Sequence, residues 1–366
     1  MSGAFAFLLA AALLVAVQFR DSFAFTLLYF FGGVYFFSRV WSAYSLRKVV
    51  FRREYPPHVF PGESVQVHLH LQNTGWLGVP WLHLQDGLPV EIAAEGSFHR
   101  VVTLGARQHL TLTYDLQPRK RGLYPIGPLR LVGGDLFGLT PMQRREGGSD
   151  YLLVYPRLMP LPQAHLPSRA PLGTLPHHLP IFEDPTRPIG KRLYQSGDSL
   201  RQVDWKTSAA QGRLHVRQYE PAIALGLMLA LNLETRDYPL RSRRDASELG
   251  IMAAASLAHW SIEHGQAAGL WLHGRDALSE HQALLPVHKG RAHLMQMLAA
   301  LARVQTAEMP DTFVSALLKN SARLPWGTTL AIITPQAGQT LFDALFAIRR
   351  RGVQVMLLLC GDVPEV

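Results

Sequence analysis

Cysteine is nearly absent: Cys360 is the only one in 366 residues. No intrachain disulfide can form, and a Cys-x-x-Cys zinc or redox site is excluded. Such usage suits a reducing compartment. Charge is sparse too. Charged residues make up 17% of the chain against 48% hydrophobic ones, and acids are outnumbered 27 to 36, for a net charge of +9. No Gly-x-x-x-x-Gly-Lys-Ser/Thr segment occurs, so the chain lacks the loop that cradles nucleotide phosphates and is not expected to hydrolyse ATP itself. A nucleic-acid surface needs a basic patch with stacking aromatics on a folded domain. The largest basic groups lie near 39–53 and, mixed with acids, at 192–220. Nucleic acid is therefore not an expected partner.

Long uncharged stretches are plentiful. Residues 1–17 and 22–38 carry no charge and are separated by Gln18, Phe19, Arg20 and Asp21. Each run lies near the lower end of the roughly 17–25 residues that span a bilayer as a helix. The first run lacks the basic n-region and small-residue cleavage site of a signal peptide. A buried helical hairpin is the competing reading, but the Phe and Tyr residues of the second run suit a lipid interface. Arg39, Arg47, Lys48, Arg52 and Arg53 follow before the next acid, Glu54. Positive charge on that side predicts a transmembrane hairpin with both termini cytoplasmic and membrane lipid contacting residues 1–53.

Residues 54–158 change character. Val65, Val67, Leu69 and Leu71 alternate with polar residues, as do Leu110, Leu112, Tyr114 and Leu116. Period two with one apolar face predicts half-buried strands, and turn signals at regular spacing predict an antiparallel, immunoglobulin-like β-sandwich. Residues 159–190 are rich in Pro and read as an extended linker. His177 and His178 within it are weak evidence for metal. From residue 222 onward, apolar runs at 223–231, 267–272, 328–334 and 353–359 alternate with helical patterns. This predicts strands buried on both faces of a parallel sheet, an α/β domain. One helix is expected over 245–263, opened by a capping box of Asp245 and Glu248. Others are expected around Leu294, Met297, Leu298 and Leu301, near 313–323, and over 340–351.

The densest polar chemistry lies at 192–220, RLYQSGDSLRQVDWKTSAAQGRLHVRQYE. Asp198 is expected to cap a helix over 199–209. Arg201, Asp204, Trp205 and Ser208 would then share one face. A strand over 214–220 should follow, interrupted by Pro221. Interleaved Asp and Arg beside a Trp can be a salt-bridged scaffold, a partner surface or an enzyme site, and structural ion-pair networks resemble functional ones.

The pattern RxYxxGDxxRxxDWxxSA followed by LxVRxxE resembles the signature of domain of unknown function family 58, DUF58. Arg192, Tyr194, Gly197, Asp198, Arg201, Asp204, Trp205, Ser208, Arg217 and Glu220 carry the match, with Pro221 and Ala222 where the family often shows a further acid. Phe60–Glu63, Arg121–Pro128 and Asp135–Leu139 resemble its β-domain. The resemblance implies a bacterial plasma-membrane protein whose last domain is von Willebrand factor A-like. It implies a non-enzymatic adaptor or scaffold without cofactor, working with a MoxR-type AAA+ ATPase and other membrane proteins. In such a domain the first strand should end in Asp-x-Ser-x-Ser, whose oxygens hold a divalent cation. Here Asn232, Glu234 and Arg236 stand instead. Arg236 places a cation where a hard metal needs oxygen ligands, so no metal is expected. A metal-dependent ligand-binding module at that site remains the alternative function. A hydrolase is the distant third. Gly197-Asp198-Ser199-Leu200 spells the nucleophile block of GDSL esterases, but the family's later blocks are missing, and a Ser needs a base and an oxyanion hole.

Overall fold

The computed structural model describes residues 22–93, 98–147, 150–161, 183–194, 203–221, 226–279, 283–324 and 328–361, with isolated residues before 22. The chain divides into two compact units, Met1–Pro156 and Arg157–Val366.

The first unit opens with helix α1 (Ser22–Arg47). The expected transmembrane hairpin is not found: among the described residues no helix is long and apolar enough to cross a membrane. Ser22, Thr26, Tyr29, Gly32, Gly33, Tyr35, Ser38 and Arg39 dilute the apolar run. The helix also does not end with the uncharged run at Ser38 but continues through Arg39 to Arg47. Its last turns pack on the β-strands: Ser38, Ser42, Ser45 and Leu46 are buried. Trp41 Nε1 donates to the Gly78 carbonyl at 3.0 Å, and the Ser42 and Thr140 hydroxyls lie 3.1 Å apart. The inferred plasma-membrane location, with cytoplasmic termini and lipid contact through residues 1–53, loses its basis with the hairpin. Most of residues 1–17 lies outside the described residues.

Of the basic residues 39–53, Arg39 and Arg47 lie in the helix, and Arg52 and Arg53 belong to strand β1 (Val49–Glu54). Nine strands follow: β2 (His58–Val59), β3 (Val65–Asn73), β4 (Val79–Asp86), β5 (His99–Leu104), β6 (His109–Leu116), β7 (Gly122–Ile126), β8 (Leu129–Gly134), β9 (Met142–Glu146) and β10 (Asp150–Val154). They form sheets of order β1-β3-β6, β2-β10-β7 and β5-β4-β8-β9. Pairing is antiparallel except between β2 and β10. Alternation in sequence becomes alternation in burial. In β3, Val65, Val67, Leu69 and Leu71 are buried while Gln66 and Gln72 are exposed, which is what a pleat with one wet face requires. Leu69 and Leu71 share an apolar cluster with Leu82, Leu84, Leu129 and Leu131, so the first and third sheets face each other. Val65 and Val67 join Ile126, Leu152 and Val154 of the second sheet. Arg53 ties these layers together. Its Nη2 and Nε donate to Asp86 at 2.7 and 3.0 Å, and Nη1 donates to Asp150 at 3.1 Å. The Tyr114 hydroxyl donates to the same Asp86 carboxylate at 2.7 Å.

The second unit begins with a two-stranded antiparallel ribbon, β11 (Glu183–Leu193) and β12 (His215–Pro221), with the short helix α2 (Trp205–Gln211) between them. Two sequence readings change here. Residues 183–188 are strand rather than linker, because a strand in a two-stranded ribbon tolerates Pro185 and Pro188 where a central strand would not. For the same reason Pro221 ends β12, opposite Glu183, instead of interrupting it.

A five-stranded sheet follows, of order β16-β14-β13-β18-β19. β13 (Gly226–Asn232), β14 (Ala267–His273), β18 (Thr329–Thr334) and β19 (Gln354–Leu359) are parallel. β16 (Leu284–His288) is an antiparallel edge strand, which the sequence reading missed. Two short strands, β15 (Arg275–Asp276) and β17 (Val304–Gln305), pair separately. The helices are α3 (Arg243–Glu263), α4 (Arg291–Arg303), α5 (Phe313–Ser321) and α6 (Gln339–Arg350). Phe313, Leu317, Leu341 and Ile348 of α5 and α6 cover Met228, Ala230, Leu330 and Ile332. On the opposite face Gly250 of α3 approaches Leu231 and Ile333. The expected capping box is displaced: Ser242 occupies the cap of α3 and Asp245 lies in its first turn, where a carboxylate still meets the positive end of the helix.

Candidate functional site

The segment at 191–221 is built on the ribbon. Asp204, not Asp198, caps the helix. Its backbone is extended, and Oδ1 accepts the Thr207 amide at 3.1 Å. A cap must sit beside the first helical turn, and that turn begins at Trp205. Asp204 Oδ2 lies 2.9 Å from Lys191 Nζ of β11, which also donates to the Thr207 hydroxyl at 2.5 Å. Ser208 is buried; its hydroxyl donates to the Asp204 carbonyl and accepts the His215 amide, both at 2.8 Å. Val203 bridges Val216 of β12. Gly212 closes the helix in the left-handed conformation, φ 66°. Cap, ion pair and hydroxyl together pin α2 to the ribbon from three sides.

The helical face expected to hold Asp204, Trp205 and Ser208 together does not form, because the helix starts at Trp205 rather than at Ser199 and Asp204 is its cap. Ser208 points into the unit, while Trp205 is 65% exposed. Leu193 and Leu214 are exposed as well. Tyr194 is half-buried, and its amide donates to the Leu214 carbonyl. Arg192 stands opposite Val216, Arg217 opposite Lys191, and Glu220 lies near the end of β12. Gly197, Asp198 and Arg201 lie outside the described residues, as do the esterase-like letters 197–200 and the His177-His178 pair.

A second polar cluster lies at the carboxyl ends of the parallel strands, next to the point where strand order reverses between β13 and β18, the usual ligand position in open α/β sheets. Asn232 ends β13, Thr334 ends β18 and His273 ends β14. Asn232 Nδ2 donates to Asp237 Oδ2 at 2.7 Å and to the Thr334 hydroxyl at 3.1 Å; its Oδ1 accepts the Glu234 amide at 3.0 Å. The Tyr238 hydroxyl donates to the Asn232 carbonyl at 2.6 Å. Glu234 is buried: Oε2 accepts the Met309 amide at 3.0 Å and lies 3.8 Å from His273 Nε2. Arg236 Nε is 4.0 Å from Oε1. Burial lowers the pKa of His273, partly opposed by the Glu234 charge, so the imidazole is held neutral. Asn232 spends its amide inside the cluster, and Arg236 lies over the Glu234 carboxylate. Among the described residues no group of three His, Cys, Asp or Glu side chains could hold a metal ion. The donor set therefore does not fit a hard cation, which needs several converging oxygens.

His273, Asp237 and Thr334 were not singled out from the sequence. A signal existed: each strand's apolar run ends in a polar residue, Asn232, His273 or Thr334.

Residues 190–327 match the family model described as "Protein of unknown function DUF58". The DUF58 match thus covers the end of β11, α2, β12 and the chain from β13 through α5, and stops before β18. The chain is also 25% identical over 307 residues to "Uncharacterized protein YeaD" of Bacillus subtilis, covering 81% of this chain and 72% of that one. It is 27% identical over 131 residues to "Uncharacterized protein Rv1480" of Mycobacterium tuberculosis, covering 36% of this chain and 40% of that relative. Among solved structures, the CARDB domain of the PF1109 protein from Pyrococcus furiosus overlaps 29% of this chain and 91% of that domain at 19% identity. Its TM-score is 0.22, a likeness too slight to bear on fold or function.

Proposed function

We propose that this chain is a non-enzymatic adaptor whose DUF58 segment is read by a protein partner, a MoxR-type AAA+ ATPase, and whose α/β unit is a von Willebrand A-like module with its metal position filled by its own side chains. The observation that carries this reading is Trp205. An indole left 65% exposed on a helix pinned by the Asp204 cap, the Lys191 ion pair and Ser208 is a pre-organised aromatic anchor, the residue type that dominates binding hot spots. Leu193 and Leu214 add exposed apolar surface on the same ribbon. The strand-end cluster supports a binding role over a catalytic one: Asn232 spends its polar atoms on Asp237, Thr334 and Tyr238.

The test is capture of a purified MoxR-type ATPase by the intact protein and its Trp205→Ala and Arg201→Ala variants. Capture by the wild type, lost in Trp205→Ala with an unchanged melting temperature, is expected. Undiminished capture by both variants, or none by the wild type, sinks the proposal.

A further inference from the structure

On the face of the sheet that carries α5 lies a pocket of about 340 Å³, within the size range of small-molecule sites. Met228, Trp271 and Leu330 floor it, and Leu284 and Val287 of the edge strand wall one side. Leu317 closes the other side, from α5. The hollow has a local cause. Gly226 and Gly269 lack side chains where a Cβ would lie 2.5 Å from Val287 Cγ1 and 2.9 Å from Met228 Cε, so Val287 settles onto the sheet and the floor stays low. The lining is apolar except for Ser321, whose hydroxyl donates to the Leu318 carbonyl, and one rim, where Asn320 and Arg323 stand at the end of α5. Arg323 is exposed. Neither its side chain nor that of Asn320 makes an ion pair or hydrogen bond with another described residue.

We infer that this pocket binds a medium-chain amphiphile with a single carboxylate, the chain lying over Trp271 and Met228 and the carboxylate meeting Arg323. The apolar walls supply the drive to bury a hydrocarbon chain. A guanidinium offers two parallel N–H groups to a carboxylate, and Asn320 Nδ2 is a further donor at the same rim. A cation with no acidic partner among the described residues, at the mouth of an apolar hollow, selects a singly charged anionic head over an alcohol or an ammonium. The site is independent of the partner reading above, since none of its residues lies in 191–221.

The experiment is calorimetric titration of the full chain with decanoate and with decanol, repeated on Arg323→Gln and Leu284→Trp. Arg323 is exposed and Leu284 half-exposed, so neither substitution disturbs the core, and circular dichroism checks each fold. Saturable binding of one decanoate is expected, weakened about tenfold in Arg323→Gln, the effect of about 1.4 kcal/mol, and abolished in Leu284→Trp, whose indole fills the hollow. Decanol should bind wild type and Arg323→Gln equally. No saturable binding of decanoate, equal affinity for decanoate and decanol, or decanoate binding unchanged by either variant would overturn the assignment.

Discussion

Asp204 uses its carboxylate both to cap α2 and to pair with Lys191 of β11. Replacing it with Ala should cost about 0.5–3 kcal/mol. A lost cap accounts for roughly 0.5–2 kcal/mol, and Lys191, 47% exposed in its side chain, adds at most about 1 kcal/mol because solvent screens the pair. Trp205→Ala should change stability by no more than about 0.5 kcal/mol, as surface substitutions do. Urea denaturation of the two variants checks both figures; a larger loss for Trp205→Ala than for Asp204→Ala would make the indole structural. His273 provides a pH test. Its folded pKa lies below the ordinary value of 6.5 because burial disfavours the charged ring. The unfolded chain therefore binds the extra proton first. The stability it contributes is fully present above about pH 6.5 and is lost as pH falls towards the folded value. The slope is at most about 1.36 kcal/mol per pH unit. Denaturation curves at about pH 7.5 and about pH 5.5 should show a smaller difference for His273→Gln than for the wild type, and an equal difference would refute the assignment.

Among the elements, β1, β4 and β6 meet at Arg53, Asp86 and Tyr114. Arg53 and Asp86 have side chains 1% and 0% exposed, and burial, with the Asp86 charge second, raises the Tyr114 pKa so that its hydroxyl stays a donor. Asp86→Ala strands a buried guanidinium and should cost about 3–5 kcal/mol, with Asp150 retaining one contact. Tyr114→Phe should cost about 1.5–3 kcal/mol, the worth of a hydrogen bond to a charged group. Thermal melts rank the two, and the reverse order would mean that Asp150 alone satisfies Arg53. The strands holding these residues were legible where hydrophobic period was strong, as in Val65–Asn73 and His109–Leu116. The four parallel strands were legible as apolar runs. β16 was not, because Pro286 in LLPVH reads as a breaker and only an edge position makes it acceptable. Residues 183–188 were misread for the same reason. The cap of α2 was misplaced because Asp198 and Asp204 both suit a cap by type. The choice between them rests on where Val203 bridges β12.

For the whole chain, the two units carry separate apolar clusters, one of Val49, Leu82 and Leu131 and one of Met228, Trp271 and Ile332 among their members. Residues 157–366 expressed alone should unfold in one cooperative transition, with calorimetric and van't Hoff enthalpies equal. A gradual, non-cooperative melt would show that this unit depends on residues 1–156. The amino-acid sequence by itself determined the periodicities, hence which faces are apolar, where the parallel strands run, and the DUF58 pattern from Arg192 to Glu220. Those are local properties, set by the spacing of side chains along a strand or helix. Only the tertiary structure decided that α1 ends docked on β-strands rather than as half of a hairpin, that Trp205 faces water while Ser208 does not, and that Glu234 is enclosed with His273 at the strand ends. Burial depends on what packs against a residue from distant parts of the chain. Neither the length of an apolar run nor the spacing of charges contains that information.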